Sequence, residues 1–393
     1  MSKKLPQGWK RAKLGDICDF SQGVQVAVDK QHNKREKNHV RFLRIIDYTQ
    51  NKDEVRYIEY PGDKYMVNSS EVIMIRYGDA GRVVRGYEGA IANNLFKITP
   101  KFNDLTNDYL YYFISQKRIY DRLINSQQKT GLPAVNFRTV SDIEILYPES
   151  LEEQERIVSI LEKAEDAICK REESNRLLDE YLKSVFVDMF GDPVTNPKGW
   201  DKGTIRDLVV EAKYGSSKKA DELNGEFPIL RMNNITYQGN WDFGSLKYID
   251  LDEKEQEKYL VNKGDMLFNR TNSKELVGKT AVYREETPMA YAGYLVRVRA
   301  NEKANTEFIS AYLNSDYCKE VLKNMCKNIV GMANINAQEM QDIKIYMPPI
   351  ELQDRFAQIV YSVESMKKKN INSNEELNNL FNSLMQRAFN GEL

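Results

Sequence analysis

Residues 151–190 read LEEQERIVSILEKAEDAICKREESNRLLDEYLKSVFVDMF, and the spacing of their apolar side chains decides the fold. Ile157, Leu161, Ala164 and Ile168, then Leu178, Leu182, Val185 and Met189, recur at alternating intervals of four and three, the seam of a coiled coil. Only Arg171 and Asn175 interrupt it. At 1.5 Å rise per residue such a helix would be a rod of roughly 60 Å, and its apolar stripe needs a partner. Residues 350–389 offer one in the same chain. Phe356, Val360, Val363, Leu377, Phe381 and Leu384 repeat the pattern there, and Asn370 and Asn374 fill the polar gap.

The two rods are the visible ends of a larger duplication. Pro6-Gln7-Gly8-Trp9 answers to Pro197-Lys198-Gly199-Trp200, and Phe42-Leu43-Arg44-Ile45 to Ile229-Leu230-Arg231-Met232. At a constant offset, Gly131, Val135 and Asn136 match Gly331, Ile335 and Asn336, and Asp142-Ile143-Glu144-Ile145 with Pro148 match Asp342-Ile343-Lys344-Ile345 with Pro348. Gln154 and Arg156 match Gln353 and Arg355 one residue short of that offset. The repeat is far longer than a solenoid period of about 20 to 50 residues, so it implies two domains, each followed by its own long helix. The expected boundaries are 1–148 for a first globular domain, 149–191 for a first spacer helix, 192–348 for a second domain and 349–393 for a second helix.

At 393 residues the chain has room for two to three domains with their own cores. No apolar run is long enough to span a bilayer, and the first residues lack an apolar signal core, so a cytoplasmic protein without membrane contact is expected. Cys18, Cys169, Cys318 and Cys326 lack metal-ligand spacing and read as buried small hydrophobes rather than disulfides. The overall charge of −1 conceals an uneven distribution. Residues 1–148 carry 24 Lys and Arg against 17 Asp and Glu, while residues 149–191 carry 6 against 12. A basic first domain beside an acidic helix suits a protein that grips phosphate with one surface and a protein partner with another; a solvated helix face would account for the acid equally well.

Short β-branched and aromatic runs broken by Gly and Asn predict strands at 40–46, 71–76, 90–98 and 143–147, with an amphipathic helix over 107–123. The second half predicts strands at 227–232, 265–269 and 291–298 and a helix over 306–325. Both domains are therefore mixed α/β. Residues 191–197, with Gly191, Pro193 and Pro197, end the first rod and mark a domain boundary.

Loops suited to nucleic acid recur at equivalent places. Arg76, Tyr77, Arg82 and Arg85 follow one predicted strand, and Arg270, Asn272 and Lys274 follow its counterpart. Arg can make two hydrogen bonds to guanine and Asn two to adenine, and Gly lets backbone approach phosphate. Lys129 and Asn328 lie in a second pair of loops leading to Asn136 and Asn336; Gln22 in Ser21-Gln22-Gly23, and Ser217 and Lys218 after Tyr214-Gly215, form a third. Each alone reads first as a solvated turn. Recurrence in one slot with different chemistry favours DNA.

Catalytic signatures are missing. Val277-Gly278-Lys279-Thr280 resembles the end of a phosphate-binding P-loop, but Ser273 stands where that motif has its first glycine, and a strand rather than a helix should follow. His32 and His39, the two histidines, fall in a charged loop and support neither a triad nor a metal site.

The paired segments 151–157 and 350–356, with the Gly-Trp starts at Trp9 and Trp200, resemble the specificity subunit of Type I restriction-modification enzymes over essentially the whole chain. The resemblance implies two mixed α/β target recognition domains, joined by two long antiparallel coiled-coil helices in a pseudo-twofold repeat. It also implies a bipartite double-stranded DNA site, and adenine methylation or restriction carried out by partners. The helices would be a spacer and would dock two modification (methyltransferase) subunits, with Gln154, Arg156, Leu161, Leu178, Leu182, Gln353, Arg355, Leu377 and Leu384 as the spacer and docking positions. S-adenosylmethionine, ATP and Mg would sit in those modification subunits and in restriction (translocase/nuclease) subunits, leaving no cofactor, metal or catalytic residue in this chain. Two other classes compete. A self-contained DNA-modifying enzyme would bind cofactor by itself; a coiled-coil scaffold would keep its properties after loop mutation.

Overall fold

Val72–Ile75 is a strand buried on both sides, and the side each residue takes separates two apolar cores. Val72 and Met74 join a cluster with Leu14, Phe96, Tyr109 and Ile145, whereas Ile73 and Ile75 join Leu43, Val67, Ile91 and Leu95, as the two-residue period of a strand requires. Met266 and Phe268 against Leu267 repeat the division further along. The computed structural model describes residues 5–50, 54–125, 134–329 and 332–393, with backbone alone for 327–329. It divides into two units, Met1–Arg171 with Ser373–Leu393, and Glu172–Asn372.

The first unit holds two four-stranded sheets. One, ordered Cys18–Gln22, Leu95–Pro100, Val72–Ile75, Val83–Val84, is antiparallel throughout. The other, ordered Arg56–Glu59, His39–Leu43, Gly89–Ile91, Met66–Val67, has one parallel pairing at its centre. A half-buried cation ties them: Lys97 Nζ donates to the Met66 carbonyl at 2.9 Å and lies 3.5 Å from Glu71. A separate ribbon joins Trp9–Lys13 to Glu144–Pro148.

The second unit repeats this plan. Val209–Tyr214, Leu295–Ala300, Met266–Asn269 and Thr280–Val282 make one sheet, and Lys247–Ile249, Phe227–Leu230, Met289–Tyr291 and Leu260–Val261 the other. Lys202–Thr204 pairs with Lys344–Tyr346. Arg297, 1% exposed, stands where the first unit has Lys97; it donates to the Leu260 carbonyl and pairs with Glu211 at 2.6 Å.

The long helices run Leu151–Phe190 and Ile350–Ala388. Within the first unit, Ile157 and Leu161 near the start of one helix share a core with Met385, Ala388 and Phe389 at the end of the other. Within the second, Phe186 and Phe190 meet Phe356 and Val360. Start against end is antiparallel in both cases, in agreement with the expected fold class. The first helix stops at Gly191, whose φ of +85° no β-carbon tolerates easily. The polar gap is also used: Asn370 Nδ2 donates to Asn175 Oδ1 at 2.9 Å and to Ser174 Oγ at 3.3 Å.

Three expectations need correction. The helix predicted over 107–123 is two, Asn107–Ile114 and Lys117–Asn125, and that over 306–325 is Thr306–Leu313 and Asp316–Met325. No Pro or Gly marks the break; in the second unit Ser315 stops one helix and caps the next, its Oγ accepting from Cys318 N at 3.2 Å. Cys169 is exposed on the first long helix, while Cys18 and Cys318 are buried as expected. Gln154 and Gln353, read as docking positions, are 0% exposed. Gln154 accepts from Thr106 N and donates to the carbonyls of Asp104 and Pro148 at 2.7–2.9 Å; Gln353 does the same with Asn305, Lys303 and Pro348 at 2.8–3.1 Å. Each pins the first turn of its helix to its own domain and presents nothing to a partner. Leu161 is sealed in the core, as its place on the coiled-coil seam predicts, and so is a spacer rather than a docking position.

Candidate nucleic-acid interface

The strand Val72–Ile75 delivers Arg76 to a fixed backbone position, and Met266–Asn269 delivers Arg270 to the equivalent one. Arg76 N donates to the Asn94 carbonyl at 2.8 Å, and its own carbonyl accepts from Val135 N at 3.1 Å. Arg270 repeats both bonds with Tyr294 and Ile335, at 3.0 and 2.9 Å. The next residue is paired in each unit as well, Tyr77 with Ala134 and Thr271 with Asn334.

Identical backbone carries different walls. The Arg76 guanidinium lies 5.0 Å from the centre of the Tyr77 ring and 5.9 Å from that of Phe137. The Arg270 guanidinium lies 4.7 Å over Tyr214 and reaches Asn334 Oδ1 from Nη2 at 3.4 Å, while Asn334 Nδ2 donates to Thr271 Oγ1 at 2.7 Å. Tyr214 is steadied through its hydroxyl oxygen, which accepts from Ala337 N at 3.0 Å. Gln22, paired with Phe96 as Tyr214 is with Val296, donates to the Asn93 carbonyl at 2.8 Å. So the aromatic face comes from after the arginine in one unit and from another strand in the other. Stacking on a ring occupies the face of a guanidinium and leaves its N–H edge to make paired hydrogen bonds. Nε of both Arg76 and Arg270 is buried without a partner among the described residues, as are both side-chain polar atoms of Asn269.

Residues 6–178 match the Type I restriction modification DNA specificity domain, and residues 197–379 match it again. The chain belongs to that family. The EcoKI specificity subunit of Escherichia coli (strain K12) is 19% identical over 99% of this chain and 90% of its own length. The MjaVIII specificity subunit of Methanocaldococcus jannaschii is 21% identical over 99% and 94%. Among solved structures, a chain from work on assembly and conformational transition of the type I R-M system is similar with a TM-score of 0.57, at 17% identity over 99% of this chain and all of that one. The Type I S subunit from M. genitalium is similar at a TM-score of 0.55 and 14% identity, covering 98% of each.

In this specificity-family chain the remaining sequence-predicted residues fall into three groups. Tyr77, Ser217 and Lys274 are exposed, and Gln22 and Asn272 half-buried at the slots or beside them; Arg82 is exposed but paired with Asp79 at 3.0 Å. Lys129 lies outside the described residues, and Asn328 is described by backbone alone, within the strand Lys327–Ile329. Four residues have structural roles that the sequence reading did not assign them. Arg85 is a strut, stacked 4.1 Å over Tyr111 and paired with Asp108 and, at 3.9 Å, Glu162. Asn136 and Asn336 are helix caps, their Oδ1 atoms accepting from Thr139 N, and from Gln338 N and Glu339 N, at 2.9 Å. Lys218 is neutralised by Glu255.

The glycine of Ser21-Gln22-Gly23 is also structural: a β-carbon there would fall 2.2 Å from the Ala92 carbonyl oxygen, and one at Gly215 would fall 2.3 Å from that of Tyr291. In the P-loop look-alike, Lys279 is buried and its Nζ donates to the carbonyls of Ile235 and, at 3.1 Å, Met232; burial holds its pKa below the usual lysine range. Thr280–Val282 follows as a strand. Among the described residues no group of three His, Cys, Asp or Glu is placed to hold a metal ion. No described helix is long and apolar enough to cross a membrane.

Of the helix positions, Arg156 and Arg355 are exposed, Arg156 held by Glu153 at 2.8 Å. Leu178, Leu182, Leu377 and Leu384 are half-buried. Sequence reasoning missed Phe137 and Asn334 as slot walls; it paired the loop beginning at Tyr214 with that of Gln22, each directly before a glycine, but did not connect Tyr214 with the arginine.

Proposed function

We propose that this chain is the DNA sequence-specificity subunit of a Type I restriction-modification complex, reading a bipartite double-stranded site with one domain per half. The observation that carries this reading is the arginine slot: one backbone position, occupied twice by arginine, with walls rebuilt between the units. Variable walls around a constant donor are what two different half-sites require. Chemistry then belongs to partners. Two modification subunits supply S-adenosylmethionine and methylate adenine, and restriction subunits bring ATP and Mg; this chain contributes no catalytic residue and works in the cytoplasm, where host DNA is. Exposed Leu177, Tyr181 and Val187 on the first long helix and Tyr361, Met366 and Ile371 on the second support a protein-docking role for the helices.

The test is co-expression with cognate modification subunits, followed by mapping of methylated adenines in host DNA. The expected result is one sequence of two specified halves around an unspecified spacer of constant length. Unmethylated DNA, or a single undivided motif, would overturn the reading.

A further inference from the structure

Beside the slot the two units differ in one further segment. In the first, residues 24–38 connect Gly23 to the strand His39–Leu43; in the second, residues 216–226 connect Gly215 to Phe227–Leu230. Both segments leave the sheet next to the arginine slot, because Gly23 N and Gly215 N donate to the carbonyls of Leu95 and Leu295, one residue beyond the Asn94 and Tyr294 carbonyls that hold Arg76 and Arg270.

Both are also pinned at equivalent points. His32 exchanges backbone hydrogen bonds with Tyr57 at 2.8 Å each, and Asp221 with Tyr248 at 2.9 and 2.8 Å. From pin to strand the first unit reads Asn33, Lys34, Arg35, Glu36, Lys37, Asn38, and the second reads Glu222, Leu223, Asn224, Gly225, Glu226. The same slot is net +2 in one unit and net −2 in the other; taken whole, the segments are +2 and −1.

The residue after each pin meets a cation on the edge strand, and this contact repeats the contrast. Lys247 forms a 3.1 Å ion pair with Glu222, so the second segment cancels the charge beneath it. Arg56 meets the neutral amide of Asn33 instead and finds its carboxylate in Glu54, outside the segment. Lys34 and Lys37 are exposed and make no ion pair among the described residues; Arg35 is exposed too, its Nε donating to the His39 carbonyl at 3.3 Å. Positive side chains held by a pinned backbone, with no carboxylate drawn to them, suit an external polyanion.

We infer that residues 33–38 form an arm that grips the phosphate backbone of duplex DNA in the first unit, and that its acidic counterpart does not do so in the second. The first domain then supplies the larger share of sequence-independent, salt-sensitive affinity, and the second contributes chiefly selectivity. This inference rests on the DNA reading above.

The test uses the complex with its modification subunits, titrated over a salt series on a duplex carrying the mapped site and on random duplex. Each lost phosphate contact reduces the slope of log K against log salt by about 0.9. The double variant Lys34→Ala, Lys37→Ala should therefore bind with a slope shallower by roughly 2, weaken equally on both duplexes and leave the methylated sequence unchanged. Glu222→Lys with Glu226→Lys should steepen the slope. An unchanged slope in the lysine variant, while the unaltered complex still selects its site, removes the arm and leaves the DNA reading standing. A loss confined to the specific duplex makes these residues base readers and equally overturns the inference. An unaltered complex that prefers no sequence instead ends the DNA reading itself, and the arm with it.

Discussion

Arg76 and Arg270 share their backbone bonds but not their surroundings, and that separates what each substitution should do. Replacing either by Ala should cost about 1–3 kcal/mol of specific binding if the guanidinium makes a paired contact to a base. The loss should be confined to one half of the site, a different half for each residue, which competition with duplexes altered in one half at a time will read. Equal losses on specific and random DNA would make them phosphate contacts. The buried glutamines give a second expectation at this scale. Gln154→Leu leaves one N–H and two carbonyls without their side-chain partner, the bond to the Pro148 carbonyl being buried and the other two part-buried; with about 1–3 kcal/mol for a stranded buried group, the loss of stability should fall in that same range, about 1–3 kcal/mol. Thermal unfolding of the complex checks this, and Gln353→Leu should behave alike. The pairing of Gln154 with Gln353 was legible in the sequence as a repeat. Its direction was not, because a residue in a helix's first turn faces solvent or core according to how the helix meets its domain, and that contact is made by residues some 50 positions earlier.

At the scale of elements, the seam of the long helices and the doubled βα plan could be read directly, since periods of 3.5 and of two residues are local properties of the chain. The break between Asn107–Ile114 and Lys117–Asn125 could not, because it falls at the ordinary polar residues Ser115 and Gln116, and neither could the walls of the arginine slots, which Phe137 reaches from a short helix and Tyr214 from a strand, both remote in sequence. The helices also carry a prediction of their own. The division between units falls at Arg171/Glu172 in one helix and Asn372/Ser373 in the other. Four residues inserted at both places add about 6 Å to each helix, approximately one turn, and leave the contacts inside each unit alone. If the pair acts as a ruler, the mapped spacer should grow by one or two base pairs at about 3.4 Å each, with both half-site sequences unchanged. An unchanged spacer at full methylation would assign the distance to the partner subunits instead.

For the whole molecule, the two units are built from the chain in different ways. The second is one continuous stretch, Glu172–Asn372, whereas the first needs Ser373–Leu393 as well, because Phe389 fits edge-on against Tyr109 and Phe113 at 5.1 and 5.4 Å. A variant cut after Asn372 should accordingly keep its second unit resistant to protease and lose resistance in the first, where the site vacated by Met385, Ala388 and Phe389 is opened to water; mass spectrometry of a limited digest distinguishes the two. The same connectivity sets a timetable for synthesis. A ribosome moves from one end of the chain to the other, so the second unit can close while the first still waits, its aromatic residues uncovered, for a segment translated some 200 residues after its own strands. Of two folds built on one plan, the one made first is then the last to finish, and during that interval it is the one whose uncovered apolar surface is prone to aggregate.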